Sequence, residues 1–570
     1  MNRVWLSIIR LARVATDRLS WWLVVTSALV VVVLGTLGFC EDDPKQPILT
    51  AIYRAIQLFL MESGNVDGSV NIKLEIGRWL GVAVLFGTLL KGLLTAFEHR
   101  LEALIVRSLS DHIIVCGAGE RGLNLAYDLT DYANFVVLID MHDHWETDDK
   151  QHAHRGLFYL KGNAGEQATL NAAGASQARS MFVIDSSDDV NLDIVTEALD
   201  VVSDSERNLP LVCYLHLESQ DLLHHLTGFI PTQSQVEVRP FNLNFNSMRA
   251  LIQNTTIDIP VLASKEGRFV LVGNSPILDQ CLPQLMRSCL RPDETKTAIT
   301  VIGKEATQRI NRFTERYPQS DKLLRLESID SEHPSTALLS LAQEVTNLSA
   351  VAIIIASESD SESLEQYLTC QQLGLFGASQ FTIYQSDTRG VARLLNKQTP
   401  EFFGLFDEAC NAKTIIQEEL DALAKKIHGH YLSQRLSEDA TLGSSPALHE
   451  WELLSEQYRS MNRRQADHIY AKCRFIGARV VPVTEQTGKP YTFTDDNVEI
   501  LARIEHRRWM AERFLDGWQY GATRNDQQKL HPDLVPWEEL DESTQEYDRR
   551  PVLQIPSLLE SVGLHVVSCE

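Results

Sequence analysis

The sequence has no Cys-x-x-Cys pair; its nine cysteines are scattered from Cys40 to Cys569. An odd, dispersed set excludes a disulfide framework and a structural zinc ribbon, and reads as a reduced compartment. Positive charge is also scarce: 52 Lys and Arg stand against 76 Asp and Glu, for a net charge of −24. So acidic a chain lacks the cationic face that a phosphate backbone requires, which excludes nucleic acid as the main partner. No Ser/His/Asp arrangement, nucleotide-cleaving carboxylate pair or metal-ligand spacing stands out, so no enzyme activity and no metal are expected. Disorder is excluded too, because 44% of residues are hydrophobic and only 22% are charged, the balance of packed protein. With 570 residues, the chain exceeds one compact domain and suits three or four of about 150 residues each.

A mean hydropathy of −0.13 conceals an apolar beginning. Trp21 to Phe39 is nineteen residues without a charge, long enough to cross a hydrocarbon core, with Trp21 and Trp22 where an aromatic belt belongs. A second apolar stretch, Trp79 to Phe97, is interrupted only by Lys91. Phe39 before Cys40 suits signal cleavage poorly, so the first stretch is read as a retained span. Arg3, Arg10, Arg13 and Arg18 precede the first span and Arg100 and Arg107 follow the second, while acidic residues dominate between them. This predicts a multi-pass protein of the bacterial inner membrane with both termini in the cytoplasm. Within residues 1–20, Val4, Ile8 and Leu11 at helical spacing beside arginines suit an interfacial helix.

Residues 48–61 are helix-like and apolar but too short to span. Between two spans, such a segment fits either a re-entrant half-helix or an amphipathic helix at the outer surface. The first option resembles the two-span module of potassium-type channels. The filter TVGYG of those channels is replaced here by ESGNVDG, starting at Glu62. If the half-helix is re-entrant, a ring of Glu62 carboxylates faces a pore, and Lys91 either snorkels to the surface or opposes cations.

From His112 the chain reads HIIVCGAGERGLNLAYDL. A strand running into Gly117-Ala-Gly119-Glu-Arg-Gly122 and then a helix, with Asp140 ending the next strand about twenty residues on, is a dinucleotide-binding pattern. Gly117 permits the tight turn, Gly119 lets backbone N–H groups approach a pyrophosphate, Gly122 allows close helix packing, and Asp140 is placed for ribose hydroxyls. Gly162-Asn163-Ala164 and a strand ending near Asp185 follow. In this order the segment resembles the RCK (TrkA-N) domain, the nucleotide-binding module of potassium channels and transporters. The resemblance implies NAD(H) or an adenine nucleotide (ATP or ADP) as ligand. The family usually has Gly-Asp-Ala where Asn163 stands. A second strand–turn–helix begins at Arg268, but its turn, Gly273-Asn-Ser275-Pro-Ile277, keeps only the first glycine. It looks like a degenerate RCK-like unit. Tandem units of this kind after a membrane pore resemble the large-conductance and Castor/Pollux channels.

Near the C-terminus, His506–Trp509, Gly517-Trp518-Gln-Tyr520-Gly521, Lys529-Leu-His531-Pro532, Leu534-Val-Pro536-Trp537 and Tyr547-Asp548-Arg549 resemble, in fixed order, the RyR domain of ryanodine receptors and bacterial proteins. Trp509, Trp518, Tyr520 and Trp537 offer aromatic faces, and His506, Arg508, Lys529, His531 and Arg549 offer donors for an anionic ligand. Trp509 and Trp518 also suit a small core, whereas Lys529 and Arg549 are read as ligand-facing.

The expected architecture is a membrane α-helical N-terminal module (two spans plus a half-helix), tandem α/β Rossmann-like domains, and a small, mainly α RyR domain. The expected boundaries are an interfacial helix at 1–20, a membrane module at 21–100, an RCK domain at 108–260, a degenerate partner at 266–400, a linker at 401–450 and the RyR domain at 451–570. The function expected is a nucleotide-gated cation channel, potassium included, or an ion-transport regulator. It would be embedded in the lipid bilayer as a homo-oligomer, a tetramer if a channel. The alternative is a non-conducting membrane effector or scaffold that senses a nucleotide in bacterial stress or phage defence.

Overall fold

The computed structural model describes residues 21–569 apart from 61–70, 143–155, 204–206, 208, 227–234, 255–258, 263, 294, 346–349, 375–379, 387–399, 417–418, 438–440 and 485–487. The expected interfacial helix at 1–20 and Glu62 lie outside the described residues.

In chain order, α1 (Trp21–Asp42), α2 (Ile48–Gln57, prolonged by a 3₁₀ turn over Leu58–Leu60) and α3 (Ile72–Arg107) come first. The first α/β series is β1 (Ile113–Cys116), α4 (Glu120–Leu129), β2 (Val136–Asp140), β3 (Leu157–Lys161), α5 (Gln167–Ala172), β4 (Ser180–Val183), α6 (Asp188–Ser203), β5 (Leu211–His216), β6 (Val236–Phe241) and α7 (Leu243–Asn254). The second is β7 (Arg268–Val272), α8 (Ile277–Ser288), β8 (Thr297–Gly303), α9 (Ala306–Arg316), β9 (Leu324–Asp330), β10 (Val351–Ile355), α10 (Asp360–Gln372), β11 (Gln380–Gln385) and β12 (Glu401–Gly404). The rest comprises α11 (Ala422–Ser437), α12 (Glu456–Phe475), β13 (Ala478–Pro482), α13 (Asp495–Leu515), β14 (Gln519–Tyr520), β15 (Leu530–His531), α14 (Glu542–Leu553), α15 (Ile555–Glu560) and β16 (Leu564–Ser568).

Strands β1 to β6 form one sheet in the order β3-β2-β1-β4-β5-β6, and β7 to β12 form another in the order β9-β8-β7-β10-β11-β12. Counted from its own first strand, the second sheet repeats the order of the first, the doubly wound arrangement of nucleotide-binding folds. All neighbouring pairs of the second sheet are parallel. Its central strands β7, β8 and β10 are buried almost throughout, as continuous Val/Ile runs under two helical layers must be. Strand β12 occupies part of the segment expected as linker: Glu401–Gly404 is the sixth strand of that sheet, paired in parallel with β11.

Two compact units divide the chain, one of Met1–Val115, Ala133–Met181 and Glu197–Leu211, the other of Cys116–Tyr132, Phe182–Thr196 and Val212–Glu570. In the first, α1 to α3 pack through glycines. A Cβ at Gly35 would fall 2.8 Å from Ala55 and Leu58, one at Gly38 would fall 2.8 Å from Leu74, and one at Gly81 would fall 3.1 Å from the Leu58 carbonyl oxygen. The half-helix therefore sits against both long helices because Gly35 and Gly81 carry no side chain, and α1 meets α3 closely because Gly38 carries none. Val31, Phe39, Ala51, Ala55, Leu58 and Leu74 make the small core. Outside it, Trp22, Leu49 and Trp79 are each more than 70% exposed, an apolar exterior unlike that of a water-soluble bundle.

Among the described residues, one helix is long and apolar enough to cross a membrane, Trp22–Asp42, with a hydropathy of 2.5. The second expected span lies within α3, a single 36-residue helix. That helix continues to Arg107 and ends against the α/β layer, where Val106 and Leu109 are buried. Asp111 then turns the chain with φ +57°, its N–H donating to Gln177 O at 3.0 Å. The segment between apolar stretch and first strand is thus helix nearly to its end.

Candidate functional site

The first glycine loop is built by conformation and by lack of room. Gly117 has φ +104°, and a Cβ there would meet Asp185 N at 3.2 Å. A Cβ at Gly122 would lie 1.8 Å from Gly117 O, inside van der Waals contact. Gly119 differs: it is the N-cap of α4 with ordinary φ −61° and no side-chain cap, and a Cβ there would meet nothing within 4 Å. The fold therefore requires Gly117 and Gly122, while Gly119 leaves open space in front of a helix N-terminus, where anions are favoured.

Behind this loop lies a polar framework of which the expected residue set held only Asp185. Asn191, fully buried, accepts from Asp185 N at 2.8 Å and donates to Asp185 O and His216 O. Asp185 accepts from Ser187 N at 3.2 Å, so its carboxylate closes its own turn. Asp188 accepts from the N–H groups of Glu218 and Ser219. Arg121, inside the glycine loop, donates to Glu218 at 3.0 Å. His216 is buried with neither ring nitrogen hydrogen-bonded, its Nε2 lying 3.8 Å from Glu218; burial, with Arg121 nearby, lowers its pKa to about 4. The legible trace of this framework was His216-Leu-Glu218 ending an apolar strand.

In the other unit, Asp140 ends β2 and accepts from His142 N at 2.8 Å, and its carbonyl oxygen accepts from Gly162 N at 2.9 Å. Tyr159 OH donates to His142 O. Asn163 accepts from Gly165 N at 2.9 Å, a local turn. A Cβ on Gly162 would lie 2.8 Å from Thr169. No group of three or more His, Cys, Asp or Glu side chains suited to a metal occurs among the described residues.

The second loop is closed by its own side chains. Asn274, at the position of a lost glycine's neighbour, accepts from Lys304 N at 3.0 Å. The buried Arg309 donates to the carbonyl oxygens of Ser275 and Asn274. Its second strand ends at Gly303-Lys304 rather than at an acid. The Ser275 N–H, at the place of the second glycine, donates to Ala356 O at 3.1 Å, so this donor is engaged internally.

The C-terminal region spends several of its expected donors on itself. His506 is buried between Val535 O at 2.9 Å and Asp548 at 3.2 Å, with its ring stacked on Trp509. Arg508 and Lys472 both bond Glu505; burial would raise that carboxyl, but Arg508 and Lys472 outweigh it and hold it far below the usual range. Arg549 donates to Glu499 at 2.9 Å and to Gln545 at 2.9 Å and lies 5.6 Å over the Trp537 ring. Trp518 and Trp537 are buried. On the open side, Arg513 lies 5.6 Å over Trp509 and 4.9 Å over Trp518, and His531 meets Trp509 edge-on at 4.9 Å. Tyr520 is exposed, and the exposed Lys529 holds φ +52° with its ammonium on Asp516 O at 2.6 Å. Arg513, not among the expected residues, is the cation that joins the two tryptophans.

The TrkA-N domain model matches residues 113–208 and the RyR domain model matches residues 492–568. Among solved structures, GsuK bound to ADP is 14% identical over 70% of this chain and 97% of its own, with a TM-score of 0.39. GsuK channel bound to NAD is 12% identical over 74% of this chain and 86% of its own, also with a TM-score of 0.39. The GsuK RCK domain is similar at 11% identity over 56% of this chain and 79% of its own, with a TM-score of 0.37. The chain therefore carries a TrkA-N domain and, at its far end, an RyR domain, with a second six-stranded parallel α/β sheet between them.

Proposed function

We propose that the protein is a membrane-bound nucleotide sensor that regulates ion transport. The observation carrying this reading is the open space at Gly119 before the α4 N-terminus, in a domain of the TrkA-N kind. In the proposal, Gly117, Gly119 and Gly122 lie under the phosphates of NAD(H), ADP or ATP, and Asp140 takes the ribose. Gly162, Asn163 and Asp185 shape neighbouring turns rather than supplying charge. The second sheet serves as scaffold, since its loop is filled by Asn274 and Arg309. The RyR domain reads a second anionic molecule through Lys529, Arg513 and the tryptophan faces. No catalytic step is assigned.

The proposed transducer is α3, whose C-terminal end is built into the α/β layer. A nucleotide with different affinity for two arrangements of that layer supplies the energy for a change in the membrane helices. The proposal keeps a second span within α3, both termini in the cytoplasm and assembly as a homo-oligomer. The glycine-seated half-helix supports a conducting form, whereas the absence of TVGYG from the sequence supports a non-conducting effector. Current across a planar bilayer containing purified protein, with and without NAD(H), ADP and ATP, separates the two. Calorimetry on the full chain tests the sensor itself: no heat from any of the three nucleotides overturns it.

A further inference from the structure

We infer that the second unit holds a separate site for a protonated oxyanion of the phosphate class, in a cavity walled by Arg239, Arg249, Arg459 and Arg463. The inference goes beyond the nucleotide reading and does not depend on the glycine loop. The cavity measures about 90 Å³, space for roughly three waters or one tetrahedral anion.

Its arginines are not equally served. Arg249 is buried and bonds Asp421 and Asp467, each at 2.7 Å. Arg463 shares the same Asp421 at 2.5 Å, and Arg239 has Glu237 at 2.8 Å. Arg459 is also buried, at 8% exposure, but it donates to the carbonyl oxygens of Trp451 and Glu452 and stacks over the Trp451 ring. Its charge is therefore met by neutral dipoles and a π face rather than by a carboxylate, at a buried position where an uncompensated ion is costly. Gln220 also lines the cavity, and its Oε1 is buried without a donor. An anion that brings negative charge to Arg459 and an O–H to Gln220 satisfies both; hydrogen phosphate does so, and sulfate brings only the charge.

The walls come from four stretches of chain: β5 with the short helix Gln220–Leu226 after it, β6 with α7, the residues Thr414, Ile415, Leu420 and Asp421, and α12 just before the RyR domain. An anion held there ties all four together.

The test uses the full chain in detergent, carrying Gly119→Val to silence the glycine loop, titrated with inorganic phosphate, sulfate and AMP by calorimetry. Saturable phosphate binding, stronger than sulfate binding, is expected. Arg459→Gln should weaken it about tenfold or more, Arg459→Lys should weaken it less, and Gln220→Leu should abolish the preference for phosphate over sulfate. AMP binding that is equally sensitive to Arg459→Gln would assign the site to a phosphate carried on a larger molecule; binding of inorganic phosphate alone would assign it to the free ion. Absence of saturable binding by either, or binding undiminished in a folded Arg459→Gln protein, overturns the inference. If Arg459→Gln does not fold, an unchanged phosphate preference in Gln220→Leu overturns it.

Discussion

Arg121 reaches out of the first glycine loop to Glu218 at 3.0 Å, and Glu218 also accepts from Asn244 at 3.0 Å. Asn244 stands near the start of α7, and the same helix carries Arg249 to Asp421 and Asp467. One helix thus connects the proposed phosphate loop with the helix that precedes the RyR domain. An arriving phosphate competes with Glu218 for Arg121. Glu218→Gln should therefore tighten nucleotide binding, by no more than about fivefold because the pair is partly exposed. Calorimetry reads this directly, and weaker binding would show that Glu218 positions Arg121 instead.

The three glycines should separate by phenotype. A Cβ at Gly119 meets nothing within 4 Å, so Gly119→Val should cost little in melting temperature while abolishing nucleotide binding. Gly122→Ala must displace Gly117 O and should destabilise the protein by about 1–3 kcal/mol. Differential scanning calorimetry with and without ADP distinguishes them.

Lys529 holds a positive φ at an exposed turn, a conformation glycine adopts without strain. Lys529→Gly should therefore preserve stability while removing the cation from the proposed RyR ligand. Arg549→Ala removes the partner of Glu499 and the cover of Trp537 and should lower the melting temperature measurably. The two variants separate binding from packing in one thermal-shift series.

Breaking the buried pair at Arg249 leaves Asp421 and Asp467 facing each other's surroundings without that cation. Arg249→Ala should cost about 3–5 kcal/mol, read by denaturant unfolding.

Acid should weaken the fold through its buried histidines. Burial lowers the pKa values of His112, His216 and His468, that of His216 to about 4. Between about pH 6.5 and 4, the unfolded chain binds protons that folded His216 refuses, so stability rises with pH across this window and falls on acidification. His216→Phe should flatten the slope of melting temperature against pH in that range; an unchanged slope would remove His216 from the account.

The parts legible in the sequence were those written in contiguous residues. Apolar runs mark β1, β2, β4, β7, β8, β10 and β11, and the glycine spacing marks the first loop. Strand β9 (LRLESID) was hidden because an edge strand with one exposed face carries charges within it, and β12 because four residues make little pattern. The Arg121–Glu218–Asn191 framework joins positions far apart in the chain, so no local spacing announces it. His506 read as an available donor for the same reason, since Asp548 becomes its partner only once α14 packs on α13; Arg508, by contrast, has Glu505 three residues before it, a local helical pair that the spacing does announce.

The unbroken run of α3 has a consequence for its own register. At about 1.5 Å and 100° per residue, its 36 residues reach about 54 Å, and one residue added near its C-terminal end would turn everything before it by about 100° relative to the α/β layer. Insertions of one or two residues should therefore uncouple the membrane helices from the layer, while three or four, close to a full turn, should restore much of the phase. Response plotted against insertion length would oscillate with the helical period, a signature that a flexible tether of the same length would not give.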